Sequence, residues 1–320
     1  MSIAFVFPGQ GSQAVGMGRA LAEASPEARA VFEEVDDALG QNLSRLMADG
    51  PEGDLTLTEN AQPALMAVSM AVVRVLEKEG GFRLADKGIM AAGHSLGEYS
   101  ALAAVGALSV ADAARLLKTR GRAMQQAVPV GEGAMAALLG LDLDAVQAVA
   151  DEAAGGDWAA GDGRVCAVAN DNAPGQVVVS GHADAVEKAV ALAKEKGAKR
   201  AVMLQVSAPF HCPLMEPAAE VMAHALGDVA VAVPALPVVT NVSAAPLSDP
   251  DEIRDRLVRQ VTAPVRWREC VQRMKADGAE TLVELGSGKV LTGLVRRIDR
   301  ELTGINAETP ADIDSLLAKF

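Results

Sequence analysis

One stretch constrains this chain more than any other: residues 88–102, GIMAAGHSLGEYSAL. A short apolar run, 89–92, ends at Gly93-His94-Ser95-Leu96-Gly97, and an Ala/Leu-rich helical pattern follows. That reads as strand, sharp turn and helix, with a serine at the corner. A G-x-S-x-G corner has a mechanical meaning. The serine sits on a strained bend, and the flanking glycines let neighbouring backbone approach where a Cβ would clash. The Ser95 hydroxyl would then stand above a sheet, beside free N–H groups of a helix start that can stabilise an oxyanion. The same letters also describe a Gly-rich strand-to-helix turn with a capping serine, and the motif alone does not separate the two.

The pattern around the corner predicts an α/β chain in two parts. Residues 3–7 read as a buried strand, closed by Pro8-Gly9-Gln10-Gly11-Ser12-Gln13. Ser25, Pro26 and Glu27 open a helix as N-cap, first residue and first-turn acid, and Gly40 closes it. Residues 64–79 read as a helix after Asn60-Ala61-Gln62-Pro63, and Ser109 with Asp112 forms a capping box for a helix to about residue 127. The character then changes: strand 134–141, helix 142–153, a Gly/Ala/Asp loop 155–163, strand 165–169, turn 170–175, strand 176–180, helix 183–196, strand 201–205. This β-α-β-β-α-β order is the ferredoxin-like signature. It predicts a small domain, 129–205, inserted in a larger α/β domain of residues 1–128 and 206–320. The larger part continues with a helix to about 226, a strand at 237–241, two helices split near Thr262-Ala263-Pro264, a strand at 281–285 and two further helices around a short strand.

Composition excludes several classes. Half the residues are hydrophobic and 3% aromatic, so the core is aliphatic. No run approaches the roughly 18 apolar residues of a membrane span, and no membrane partner is expected. The start, MSIAFVFP, lacks a basic n-region and reads as a first strand, not a signal peptide. Cys166, Cys212 and Cys270 lie far apart, without metal or disulfide spacing; buried free thiols in a reducing cytoplasm are expected. A net charge of −13 argues against nucleic acid. Residues 251–300 run against it, with 11 Lys/Arg and 8 Asp/Glu. Solvated amphipathic helices account for that excess, and so does a local basic face for an acidic or phosphate-bearing partner, including residues such as Arg254, Arg296 and Arg297.

A serine nucleophile needs a base, and the chain has only four histidines. His94 adjoins Ser95, and neighbouring side chains on a turn diverge. His182 begins a helix of the insert, and His224 lies mid-helix. His211 lies in a loop held by Pro209 and Pro213, a rigid placement that suits catalysis. On residues alone it stays open between catalytic base and structural loop histidine. No histidine follows His224, whereas ordinary α/β-hydrolases place theirs late, which speaks against a plain esterase or lipase. Gly9-Gln10-Gly11-Ser12-Gln13-Ala14 matches a dinucleotide fingerprint, but the required second strand ending in an acid is replaced by the helix starting at Ser25. A nicotinamide oxidoreductase is thereby disfavoured. A Walker loop also fails, since Gly288-Lys289 is followed by Val290.

Phe7-Pro8-Gly9-Gln10-Gly11-Ser12-Gln13, the Gly93-to-Tyr99 corner, Arg120-Gly121-Arg122-Ala123-Met124, Gly175-Gln176-Val177-Val178-Val179, Pro209-Phe210-His211, and Asn241 with Gln260 together resemble the malonyl-CoA:acyl carrier protein transacylases. The likeness is collinear over nearly the whole chain. It implies an α/β-hydrolase-like core with a parallel sheet and an inserted ferredoxin-like subdomain. It implies a cytoplasmic enzyme of fatty acid biosynthesis, with malonyl-CoA and holo acyl carrier protein as partners, a monomeric state and neither cofactor nor metal. Ser95 would be the nucleophile and His211 the base, oriented by the backbone carbonyl of Gln260 in place of a carboxylate. The N–H groups of Gln10 and Leu96 would form the oxyanion hole. Arg120 would hold the malonyl carboxylate, with Gln62 and Asn170 near the substrate; read without the family, Arg120 is an ordinary helix-surface arginine. Phe210 stands where the family often has a small residue, and its bulk would crowd an α-methyl group. A discrete acyltransferase of a polyketide synthase or of malonate decarboxylase is the nearest alternative, and an idle docking module a more distant one.

Overall fold

In a computed structural model, which describes residues 2–156, 159–161 and 163–320, the chain folds around two sheets. In chain order the strands of the described residues are β1 (Ile3–Phe7), β2 (Gly88–Gly93), β3 (Gly133–Leu139), β4 (Cys166–Ala173), β5 (Gln176–His182), β6 (Arg200–Met203), β7 (Val238–Val239), β8 (Pro246–Leu247), β9 (Thr281–Leu285) and β10 (Thr303–Ala307). The larger sheet has the order β10-β9-β1-β2-β7-β8 and is parallel except for β8. Both faces are covered, so β1 is apolar along its whole length and buried at every residue. Its alternation divides the core. Phe5 and Phe7 join the layer containing Leu65, Val68 and Leu76 of the Thr58–Lys78 helix. Ala4 and Val6 join Trp267, Val271 and Met274 of the Trp267–Ala276 helix.

The smaller sheet has the order β4-β5-β3-β6 and is antiparallel throughout. The helices Leu143–Ala154 and Ala183–Glu195 cover one of its faces with their own apolar cluster. From its other face, Met135 and Val178 join the larger core. This is the ferredoxin-like arrangement on a mostly parallel α/β core. Among the described residues, no helix is long and apolar enough to cross a membrane.

Two local expectations are corrected. Residues 170–175 are not all turn: β4 runs to Ala173, and Asn170 lies on it. Asn and Asp favour turns, but here tertiary partners hold them extended. The Asp171 N–H donates to the Val265 carbonyl at 2.9 Å, and the Val265 N–H to the Ala169 carbonyl at 2.8 Å. Arg268 grips the buried Asp171 carboxylate through Nε and through Nη2, the latter at 2.7 Å. The second correction concerns Pro63, which lies inside the Thr58–Lys78 helix instead of before it. A proline there lacks the N–H for a helical bond, yet burial of every residue from Asn60 to Val73 holds the helix together. Within the loop 155–163, Asp157, Trp158 and Asp162 lie outside the described residues.

Candidate active site

The carboxyl ends of β1 and β2 lie side by side, with Phe7 opposite Gly93. Loops leaving neighbouring strand ends converge there, the usual place for a site in an open α/β sheet. After β2 the chain turns through His94 and Ser95 into the helix Gly97–Ala104. Ser95 has a positive φ of 53°, which a non-glycine residue rarely adopts. Both flanking glycines are required by space. A Cβ on Gly93 would lie 1.9 Å from the Gly97 carbonyl carbon, and one on Gly97 would lie 2.3 Å from the Phe7 carbonyl oxygen. Gly93→Ala should therefore destabilise the fold by at least ~3 kcal/mol, the upper range for overpacking. Urea unfolding measures this, and a loss below about 1 kcal/mol would mean that the corner tolerates a side chain.

The corner is fastened from below by a residue far away in sequence. Asn241 Oδ1 accepts the Ser95 N–H at 2.7 Å, while Asn241 Nδ2 donates to the Gly93 carbonyl at 2.7 Å. His94 is not directed at the serine hydroxyl; its Nε2 lies 2.8 Å from Asn172 Oδ1, and burial holds its pKa below the ordinary value.

His211 reaches Ser95 from the Pro-flanked loop. Its Nε2 lies 2.8 Å from Ser95 Oγ and its Nδ1 lies 2.9 Å from the Gln260 carbonyl oxygen. A carbonyl can only accept, so Nδ1 carries the proton and Nε2 is free to take one from the serine. His211 also has a positive φ, 58°. Burial, with the charge of Arg120 adding to it, pushes its pKa down to about 3. The remaining histidines are elsewhere: His182 Nδ1 accepts the Val165 N–H, and His224 is exposed.

Arg120 is not on the helix surface. It is 1% exposed, on the inner side of the helix Val110–Ala127. Nη1 donates to Gln62 Oε1 at 2.8 Å, and Nη2 to Gln260 Oε1 at 2.9 Å and to Ser95 Oγ at 3.2 Å. Its guanidinium carbon lies 5.8 Å from the Tyr99 ring centre. It thus stands desolvated among neutral acceptors, beside a cavity of about 340 Å³ lined by Gln10, Gln62, Ser95, Leu96, Arg120, Met124, Met135, Asn170, Phe210 and His211 among others. Seven of the eight residues singled out from the sequence line this space; the eighth, Gln260, lies behind it and braces both His211 and Arg120. Within the described residues, the N–H groups of Gln10 and Leu96 make no backbone hydrogen bond. The arrangement can deprotonate a serine hydroxyl and hold an anion beside it.

Sequence reasoning assigned nothing to Glu98 or Asn172 and no role to Asn241. Glu98 is buried under the corner, where its Oε2 accepts from the Asn241 N–H and from Gln260 Nε2, each at 2.9 Å. On the sequence an acid in a helix's first turn reads as a partner of the helix dipole, and no signal there marked it as buried.

The basic excess of residues 251–300 is largely spent internally. Arg254 donates to the carbonyls of Leu226 and Val229 and pairs with Asp251. Arg256, Arg259, Arg266, Arg268, Arg273 and Lys275 each have a carboxylate partner. Arg296 and Arg297 are exposed, and Arg297 donates to Gln176.

Comparison with known proteins shows the family. The acyl transferase domain model matches residues 4–310. The malonyl CoA-acyl carrier protein transacylase of Bacillus subtilis (strain 168) is 46% identical over 312 residues, covering 98% of this chain and 95% of the relative. The crystal structure of the acyl-carrier-protein S-malonyltransferase from Bartonella henselae superposes with a TM-score of 0.95 at 54% identity, covering 100% and 99% of the two chains. A malonyl-transacylase solved in complex with a type II polyketide synthase acyl carrier protein superposes with a TM-score of 0.94 at 42% identity, covering 100% of each.

Proposed function

The chain belongs to the acyl transferase domain family, among the malonyl-CoA:acyl carrier protein transacylases, and from that premise we propose that Ser95 carries the malonyl group between two thiols. The overall reaction moves malonyl from malonyl-CoA to the phosphopantetheine thiol of acyl carrier protein. The observation that carries the residue assignment is the Ser95–His211–Gln260 chain of hydrogen bonds on two left-handed backbone positions.

Ser95 Oγ attacks the thioester carbonyl as His211 Nε2 takes its proton. The imidazolium so formed is held by the Gln260 carbonyl on Nδ1. The N–H groups of Gln10 and Leu96 receive the oxyanion. The carbon–sulfur bond breaks, the CoA thiolate takes the proton from Nε2, and malonyl-Ser95 remains. The carrier thiol then gives its proton to Nε2 and attacks the ester, and Ser95 leaves with that proton. Arg120 binds the free malonyl carboxylate with its planar fork. Gln62 and Asn170 line the acyl space, and Phe210 narrows it against an α-methyl group. We divide the chain at 128/129 and 205/206, a division supported by the separate cluster under the smaller sheet, and place the protein in the cytoplasm, supported by three buried free cysteines.

The direct test is intact-protein mass spectrometry. Mixing with malonyl-CoA should add one malonyl mass, and holo carrier protein should then remove it. An enzyme that forms the adduct but releases it only as free malonate would be a hydrolase, against this reading. The pH dependence is a second expectation. An ordinary histidine near 6.5 would lose its basic form in mild acid. With His211 held at about 3, single-turnover acylation should stay flat between about pH 5 and 8. The same depression means that the unfolded chain binds a proton more readily, so this group costs stability as pH falls from about 6.5 toward 3. An acid limb of acylation centred between about 6 and 7 would point to an ordinary histidine as the base.

A further inference from the structure

The network beneath Ser95 contains a carboxyl that the reaction above does not use. Glu98 Oε2 receives two donors, the Asn241 N–H and Gln260 Nε2. Its Oε1 is buried without a hydrogen-bond partner among the described residues. A carboxyl that is fully buried and half satisfied is costly, and burial pushes Glu98 up to about 7. Such a cost needs a counterpart, and the Gln260 side chain supplies it. A glutamine amide is two-faced: one end only donates, the other only accepts. Gln260 Nε2 faces three acceptors, namely Glu98 Oε2, the Ser95 carbonyl at 3.0 Å and Asn241 Oδ1 at 3.3 Å. Its Oε1 therefore faces Arg120 Nη2. Were the amide reversed, an NH2 group would confront the guanidinium, donor against donor.

We propose that Glu98 is a positioning residue for acyl-group selection: as the carboxyl among the three acceptors of Gln260 Nε2, and the nearest of them, it dominates the choice of which end of that amide meets Arg120, and so aims the guanidinium at the acyl carboxylate. Glu98 touches no substrate and acts through Gln260. Its second bond, to the Asn241 N–H, bears on the serine corner and therefore on every acyl donor alike. The bond to Gln260 bears only on donors that use Arg120. The inference rests on the reading that Arg120 receives the malonyl carboxylate, and the two fail separately.

The test is the ratio of kcat/KM for malonyl-CoA to that for acetyl-CoA, which does not depend on how much of a preparation is folded. Glu98→Met fills the same space without an acceptor and should lower the ratio by ~10-fold or more, the range for a lost hydrogen bond to a charged group. Glu98→Gln can present its Oε1 where Glu98 Oε2 now lies, so it should keep the ratio within about twofold of wild type. If Glu98→Met retains the wild-type ratio, or if Glu98→Gln lowers it as far as Glu98→Met does, the proposal is wrong. Should Glu98→Met yield no folded protein, Glu98→Gln decides alone: a retained ratio supports the acceptor role and a lowered one overturns it. Arg120→Ala is the control. A ratio unmoved by Arg120→Ala removes the carboxylate reading itself, whereas a ratio collapsed by Arg120→Ala but unmoved by Glu98→Met removes only the role of Glu98.

Discussion

Ser95→Ala is expected to leave the protein folded and to abolish the malonyl adduct together with transfer to the carrier. The hydroxyl is the only part of the residue removed. The corner itself is held by backbone and by Asn241, whose bond goes to the Ser95 N–H and not to its side chain. Gly93 and Gly97 keep the close approach of β1, β2 and the following helix with or without the hydroxyl. His211 keeps its bond to the Gln260 carbonyl, so the base remains in place with nothing to deprotonate. Loss of activity with an unchanged Tm would therefore report on the nucleophile and not on folding. A full-occupancy adduct on Ser95→Ala would move the acylated position elsewhere, and peptide mapping would locate it.

Arg120→Ala should lower the malonyl-to-acetyl ratio of kcat/KM by ~10⁴, since a site built around a polar partner rejects analogues lacking that partner by such factors. The geometry explains the size. Arg120 is buried among the neutral acceptors Gln62 and Gln260, with burial holding its pKa below the ordinary value. A malonyl carboxylate brings the charge this pocket lacks, while losing its own water. Acetyl-CoA brings none and leaves the guanidinium as uncompensated as before. Removing the side chain ends that asymmetry and opens room beside Met124 and Phe210 for neutral acyl groups. Arg120→Lys should restore little, because a point charge cannot reproduce two parallel bonds. An unchanged ratio in Arg120→Ala would return this residue to a purely structural part.

Much of the fold was legible because its signals are local. Gly93 and Gly97 flanking a serine are a steric requirement written into adjacent letters. Ser25 and Ser109 start helices through bonds to N–H groups three residues on, which sequence spacing reveals. The β-α-β-β-α-β order is a matter of period, and period survives without knowledge of tertiary contacts. What the residues alone, without the family resemblance, did not reveal is what is set across long separations. Asn241 meets Ser95 from 146 positions away, and Gln260 meets Glu98 from 162. Arg120 reads as a solvated helix residue because nothing in its own helix announces that Gln62, Tyr99 and Gln260 enclose it. Residues 170–172 carry turn letters and become strand because β5 pairs with Asn170 and Asp171 on one side and Val265 bonds Asp171 on the other. The contribution of Gln260 to His211 is a main-chain carbonyl, which no side-chain identity can signal.

That carbonyl has a further consequence. A histidine backed by a carboxylate is a base of general appetite, able to draw a proton from reluctant donors. His211 has only a neutral oxygen behind it and a cation nearby, and burial holds its pKa well below the ordinary value. Water, with a pKa of ~15.7, asks far more of such a base than a thiol near ~8.5 does, and unlike the equally reluctant Ser95 hydroxyl, fixed 2.8 Å from Nε2, it is not tethered beside the base. The enzyme thus sorts its incoming nucleophiles by acidity before shape is consulted. A thiol arriving at malonyl-Ser95 is turned over readily, while a stray water, neither acidic nor tethered beside Nε2, is activated far more slowly. Weakness at Nε2 is in this sense a form of fidelity: the acyl group waits on the serine for the right sulfur.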